Sequence, residues 1–412
     1  MKKLYYYLVS FAVVLTVSAV FTACGDDSEE INVVTPEPKE CEPYAVLSNG
    51  NKVLTFYYDT QKDERGGMSI GPFGDSSARG WDNNCKNIIS VIFDASFADC
   101  TTIVSTAYWF IGCDKIASIT GIKNLRTDNV TNMNSMFRGC KSLTSLDVTG
   151  FNTENVIDMS FMFGVCESLV NLDVSHFNTK KVMNMYGMFA SCISLSSLDV
   201  TGFNTENVTD MSGMFASCEN LRNLDVTGFN TSNVVDMCCM FSICKSLKSL
   251  DVTGFNTENV TDMNGMFGFC ENLRNLDVTG FNTSNVVDMS FMFSGCTELK
   301  VLDLSHFNTE NVTNMAFMFY FCESLRSLDL SHFNTENVTD MVVMFDNCES
   351  LTTIYVGDRW STKRVDDSSG MFDACIRLVG GEGTAWDENH IDHEYARIDN
   401  PSNGEPGYLT KK

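Results

Sequence analysis

From Cys113 to Cys375 the chain returns to one phrase every 26 residues, and that period restricts the fold more than any composition does. One copy reads Leu143-Thr-Ser-Leu146-Asp147-Val148-Thr-Gly-Phe151-Asn152-Thr153-Glu-Asn155-Val156-Ile-Asp158-Met159-Ser-Phe-Met162-Phe163-Gly-Val-Cys166. Its closing cysteine recurs at Cys140, Cys166, Cys192, Cys218, Cys244, Cys270, Cys296, Cys322 and Cys348, and copies offset by 27 close at Cys113 and Cys375. A unit this short cannot bury a core alone, so it must stack on its neighbours as a solenoid. Ten to eleven turns at a strand spacing of about 4.8 Å give a body on the order of 50 Å long.

The charge balance narrows the class of partner. Asp and Glu outnumber Lys and Arg by 53 to 28, a formal charge of −25. Such a body repels nucleic acid, whose binding depends on basic groups neutralising phosphates, so no nucleic-acid partner is expected. Of 17 cysteines, 11 share the repeat slot among Met, Phe and Leu. There a cysteine reads as a small buried hydrophobe. Metal spacing of the C-x-x-C kind is absent from the sequence. Cys41, Cys85 and Cys100 leave room for a disulfide that the sequence alone does not pair, and Cys238-Cys239 form an adjacent pair.

Residues 1–23 have the charged start, Lys2-Lys3, and the apolar middle of a secretory signal. Their end, Phe21-Thr22-Ala23-Cys24, resembles the bacterial lipobox, with Phe21 standing where leucine is usual. That resemblance makes Cys24 the acylated first residue of the mature chain. The acidic cluster Gly25-Asp26-Asp27-Ser28-Glu29-Glu30 that follows looks like the surface-export signal of some Gram-negative lipoproteins, and otherwise reads as a solvated linker. Residues 24–41 read as a flexible tether. The expectation is an outer-membrane, lipid-anchored protein exposed at the cell surface, anchored rather than spanning.

Within one repeat, Leu146 and Val148 alternate inward against Ser145 and Asp147 outward, as in a strand. Val156, Met159, Met162, Phe163, Cys166 and Leu169 then recur at spacings of three and four, which predicts a short helix or 3₁₀ segment. Asn155 with Asp158 reads as the start of that helix, and the pair repeats at Asn207/Asp210, Asn233/Asp236, Asn259/Asp262 and Asn285/Asp288. The sequons at Asn129, Asn207, Asn259, Asn311 and Asn337 read as by-products of that capping. The fold expected is an α/β solenoid, a right-handed coil of leucine-rich-repeat type, since Leu143, Leu146 and Val148 follow the L-x-x-L-x-L spacing. Residues 42–105 form an N-terminal cap, 106–375 the solenoid and 376–412 a C-terminal cap, because end turns would otherwise expose apolar faces and unpaired edges.

The phrase Leu-Asp-Val-Thr-Gly-Phe-Asn-Thr-Glu-Asn-Val-Thr-Asp-Met resembles the BspA-like leucine-rich-repeat surface proteins. The likeness extends to Tyr44-Ala45-Val46-Leu47, Leu54 to Asp59 and Trp109-Phe110, and to Gly380 to Thr384, Tyr395-Ala396 and Pro406-Gly407-Tyr408 at the end. It implies a surface protein of adhesin type that binds a protein or glycan on host or neighbouring cells and brings no catalytic residues; separately, a monomer without a cofactor is expected.

One aspartate per turn points outward from the strand side: Asp147, Asp173, Asp199, Asp225, Asp251, Asp277, Asp303 and Asp329. Neighbours about 4.8 Å apart repel by about 1 kcal/mol in water. Arg222, Lys248, Arg274, Lys300 and Arg326, three residues before the last five, are placed to offset this, whereas Asp147, Asp173 and Asp199 have no such partner. The row reads either as a solvated ladder bonded to nearby backbone and hydroxyls, or as a surface for a basic protein patch or divalent cations. Enzymatic signals are weak. His176, His306 and His332 sit in a Ser-His-Phe turn, His390 and His393 lie in the closing segment, and no phosphate loop, nucleophile elbow or H-E-x-x-H motif is present in the sequence.

Overall fold

A computed structural model describes residues 39–412. The signal segment 1–23, Cys24 and most of the tether lie outside the described residues.

The repeats stack as a ladder of backbone hydrogen bonds between residues one turn apart. Phe163 N–H donates to Met188 C=O, Phe189 to Met214, Phe215 to Met240 and Phe241 to Met266, at 2.9–3.0 Å. On the other side of each turn Leu146-type residues bring strands into register. The clearest are β5 (Ser249–Leu250) beside β6 (Asn275–Leu276), and β7 (Ser327–Leu330) beside β8 (Thr353–Val356), both parallel. A second parallel ladder joins one residue per turn, Asn132, Asp158, Asn184, Asp210, Asp236, Asp262, Asp288, Asn314, Asp340 and Asp367. The solenoid reading therefore stands on its register.

The helix or 3₁₀ segment expected after Val156 is not formed: among the described residues no α-helix occurs and no 3₁₀ helix lies between Asn124 and His393, so the α/β expectation is corrected to a solenoid of short strands and turns. Two backbone positions per turn are left-handed. They are Phe161 and Val165 in one turn, Gly213 and Ser217 in another, and Cys239 and Ile243 in a third. An α-helix tolerates no such residue in its middle. Three-residue turns close locally instead, Met162 N–H to Met159 C=O and Cys166 N–H to Phe163 C=O, and the remaining N–H groups reach the next turn. Asn155 and its equivalents are accordingly not helix caps. Asn155, Asn207, Asn259 and Asn311 donate their amides to Asp128, Lys180, Ser232 and Ser284 carbonyls of the preceding turn at 2.7–2.8 Å.

The interior is built of columns. Phe163, Phe189, Phe215, Phe241, Phe267 and Phe293 stack at 5.8–6.0 Å between ring centroids. Each buried ring, Leu or Met contributes about 1.5–3 kcal/mol of transfer free energy. The ladder cysteines are fully buried, and each thiol points at the preceding turn's Phe carbonyl: Cys166 at Phe137, Cys192 at Phe163, Cys218 at Phe189, all 3.2 Å. Burial pushes the Cys166 and Cys218 thiols up to about 12, so they stay protonated donors. A column of buried threonines does the same work for the opposite corner. The Thr257 hydroxyl donates to Asn282 C=O at 2.9 Å and accepts from Asn282 N–H at 2.8 Å.

Both ends are closed. At the start, β1 (Glu42–Ser48) and β2 (Val53–Asp59) form an antiparallel hairpin, and β3 (Ser90–Phe93) and β4 (Ser118–Thr120) continue the sheet in parallel. The carbonyls of Trp109 and Ile111 correspond to those that later turns offer to the preceding turn. Here the buried Arg79 guanidinium donates to both, at 3.1 and 3.2 Å, and the Trp81 indole donates to Trp109 at 2.9 Å. Cys113, expected to be a free ladder thiol, is instead bonded to Cys85 of this cap. In the first turn its sulfur has no preceding turn to meet, so the cap supplies the partner. Cys100 is a buried free thiol and Cys41 an exposed one. At the other end β9 (Leu409–Lys411) pairs with β8, and Phe372 N–H finds Ile391 C=O at 2.8 Å.

Candidate functional site

The strand-side aspartates are held by turns that their own sequence encodes. Asp-x-Thr or Asp-x-Ser lets the carboxylate accept from the backbone and the hydroxyl two residues ahead. Asp147 accepts from Thr149 N–H at 3.1 Å and its hydroxyl at 2.6 Å; Asp199 from Thr201 at 3.0 and 2.6 Å; Asp251 from Thr253 at 3.0 and 2.6 Å. Asp173, Asp225 and Asp277 repeat the arrangement, while Asp303 and Asp329 accept from Ser305 and Ser331 N–H. Hydrogen bonds to the hydroxyl and then to the backbone hold the carboxyls of Asp147, Asp173, Asp199, Asp225, Asp251 and Asp277 below the usual carboxylate range. These groups are fully ionised at neutral pH.

Asp173, Asp199, Asp225 and Asp251 are brought around one open groove of about 810 Å³, with Asn171, Asn223, Leu198 and Leu224 between them. Asp251 and Asp277 flank a second groove of about 800 Å³ with Arg274, Lys300 and Val301, a side chain that is 76% exposed. Asp147, Asp303 and Asp329 line neither groove. Among the described residues no ion pair joins the basic row to the aspartates three positions on. Arg274 reaches Glu298 at 3.4 Å, and the ion pair on the column is Asp329 with Lys412 near the chain's end.

A second carboxylate column went unrecognised in the sequence because it was read as helix caps. Asp210, Asp236, Asp262 and Asp288 accept from Ser212, Cys238, Asn264 and Ser290 N–H at 2.8–2.9 Å. At Asp210 and Asp288 the sequence carries the same Asp-x-Ser signal that occurs on the strand side. This column is half-buried, and burial together with neighbouring carboxylates raises the Asp236 and Asp262 pKa above the ordinary value. It flanks a trough of about 490 Å³ with Phe161, Tyr186, Gly187, Gly213, Cys238 and Cys239.

The histidines take structural contacts: His176 Nε2 lies 3.0 Å from Val148 C=O and His393 Nδ1 2.7 Å from the Ser368 hydroxyl. Among the described residues no three His, Cys, Asp or Glu side chains converge as a metal ion would need. No helix of the described residues is long and apolar enough to cross a membrane.

No curated protein matches this chain. Among solved structures it is similar to a leucine-rich repeat protein from Eubacterium ventriosum, at 15% identity over 81% of this chain and 95% of that one, with a TM-score of 0.37. It is also similar to the functional domain of InlJ from Listeria monocytogenes, which includes a cysteine ladder, at 16% identity over 66% and 71% of the two chains and a TM-score of 0.17. A family profile matches residues 104–200, 194–301 and 269–386, the whole repeat body. The chain belongs to the family described as Mycoplasma protein of unknown function, DUF285.

Proposed function

We propose that this is a non-enzymatic, BspA-like surface lipoprotein, anchored in the outer membrane through Cys24, that binds macromolecules of host or neighbouring cells as an adhesin. The observation that carries the reading is the groove on the strand side, where Asp173, Asp199, Asp225 and Asp251 stand ionised around a long open surface. Such a field speeds encounter with a basic partner and selects against an acidic one. Among the described residues no ion pair neutralises these four carboxylates, and the protein's net charge of −25 adds to the field. The partner class is therefore a protein with a basic patch, and each Leu198- or Leu224-type residue at the groove floor adds a small apolar contact.

The test replaces Asp173, Asp199 and Asp225 by Asn in the full chain, which keeps an oxygen to accept from Ser175, Thr201 and Thr227. Binding to cells and to matrix proteins is then measured at two salt concentrations. The reading expects affinity to fall at least about tenfold and to lose most of its salt dependence. Unchanged binding removes this face as the site, and no binding by the unsubstituted protein favours a passive envelope component.

A further inference from the structure

Cys238 and Cys239 differ from every other thiol in the repeats. The ladder cysteines are sealed in the core, whereas this pair is only partly buried and lines the 490 Å³ trough on the turn side. The corresponding positions of neighbouring turns hold Ser212-Gly213, Asn264-Gly265 and Ser290-Phe291. Cys239 sits in the left-handed region, φ 55°, a slot filled by Gly187, Gly213 and Gly265 in some turns and by Ser135, Phe161, Phe291, Phe317 and Val343 in others. A side chain there is strained relative to glycine, and conformational ease does not account for the cysteine. Its sulfur is accommodated because the next turn offers Gly265: a Cβ added at that glycine would stand 3.1 Å from Cys239 Sγ. The two sulfurs are 3.5 Å apart, with the Cys238 thiol donating to Cys239 Sγ.

We infer that Cys238-Cys239 is a thiol–disulfide exchange site that takes small, positively charged disulfides and closes to a vicinal disulfide. Asp210, Asp236 and Asp262 line the same trough and set the charge preference. The Cys238 thiol donates to Cys239 Sγ, a contact that favours the thiolate at Cys239 and makes it the first nucleophile. The Cys239 thiolate attacks one sulfur of the incoming disulfide, breaks its S–S bond and expels one small thiolate, leaving a mixed disulfide. Cys238 then attacks the Cys239 sulfur, its proton passing to the second small thiolate as that group leaves. Two protein thiols are oxidised, and the small disulfide is reduced to two thiols. The site is separate from the strand-side groove, so its failure leaves the proposed binding function untouched.

The experiment treats the full chain, native and with its thiols reduced, with cystamine or with oxidised glutathione, and follows intact mass and mapped peptides. Cystamine is expected to remove the mass of two hydrogens from the peptide carrying Cys238 and Cys239, leaving Cys166, Cys192, Cys218 and the other ladder thiols free. At low salt it should react at least about tenfold faster than the anionic glutathione disulfide, and the ratio should shrink as salt is added. Cys238→Ser should stop at a mixed disulfide on Cys239. The double change Cys238→Ser with Cys239→Gly restores the residues of the preceding turn, should melt no lower than the unsubstituted protein, and should not react in the trough. An unreactive pair, a wild-type product that stays a mixed disulfide, ladder thiols reacting at the same rate, or equal rates with the two reagents at low salt would each overturn the proposal.

Discussion

The strand-side and turn-side aspartate columns share a period and a turn motif, yet the ionisation of Asp199 and Asp225 on one and of Asp236 and Asp262 on the other is driven in opposite directions. Asp199 and Asp225 are solvent-exposed and receive both a hydroxyl and a backbone N–H, so their charged form is favoured. Asp236 and Asp262 receive a backbone N–H but are half-buried in a file of like charges, so their charged form is disfavoured. The same local rule, Asp followed two residues later by a donor, thus gives an anionic rail on one side and a strained file on the other. Burial decides the direction at Asp236 and Asp262, where Cys238 and Asn264 offer no hydroxyl to offset it. The turn-side file is interrupted by Asn184 and Asn314, which keep the same backbone bond, to Tyr186 and Ala316 N–H, without the charge.

The largest effect should come from the buried threonine column, which sets the scale for both. Thr257→Val keeps the shape but leaves Asn282 N–H and C=O without their inter-turn partner. It should lower stability by about 1–3 kcal/mol in denaturant unfolding, and a loss within error would mean that these bonds are not what joins the turns there. Next comes Asp346, whose carboxyl burial and then the nearby Asp373 push up to about 6. Because its folded pKa lies above the unfolded value of about 3.9, ionisation opposes folding. The penalty is complete above the folded pKa and gone below the unfolded one. Asp346→Asn should therefore raise the melting temperature at pH 7.5 and leave it unchanged well below the unfolded pKa, at about pH 2.5, and a gain of equal size at both pH values would contradict that assignment.

Asp262→Asn is a smaller test of the same sign. It copies Asn184 and Asn314 and should stabilise by under about 1 kcal/mol at neutral pH, since a partly solvated charge is partly screened. A destabilised variant would break the comparison. The smallest effect is expected at Asp225→Asn, where the sign reverses. Its depressed folded pKa means that the carboxylate contributes stability above the unfolded pKa and loses it as pH falls through the folded one. The variant should melt slightly lower at pH 7 and match the unsubstituted protein in acid.

Much of this architecture was legible because repetition prints the same message many times. The buried slots of Leu146, Val148, Met159, Phe163 and Cys166, the outward aspartates and the need for caps all follow from period and polarity. The arc after Val156 was misread because spacings of three and four suit a helix and a chain of three-residue turns equally. What separates them is the left-handed backbone at Phe161, Val165 and Ile243, and none of these is the glycine that would announce it. The pairing of Cys113 was hidden by its own conformity to the ladder slot, since only the absence of a preceding turn exposes it to Cys85. The turn-side column was missed for a related reason: once Asn155 and Asp158 are taken as a cap, a single Asp-x-Ser motif no longer looks like a surface feature.

Successive repeats lie one above another at a register of 26 residues. Val235 N–H donates to Thr209 C=O at 2.9 Å, and both side chains are exposed. The most direct measurement introduces Thr209→Cys with Val235→Cys, in a background where Cys238 and Cys239 are replaced by Ser and Gly, and treats the native protein with a short thiol cross-linker. The stack predicts a rapid intramolecular link between positions 209 and 235, and none for the control pair Thr209→Cys with Arg222→Cys, half a repeat apart. Equal linking of both pairs, or no link at 209 and 235, would contradict it.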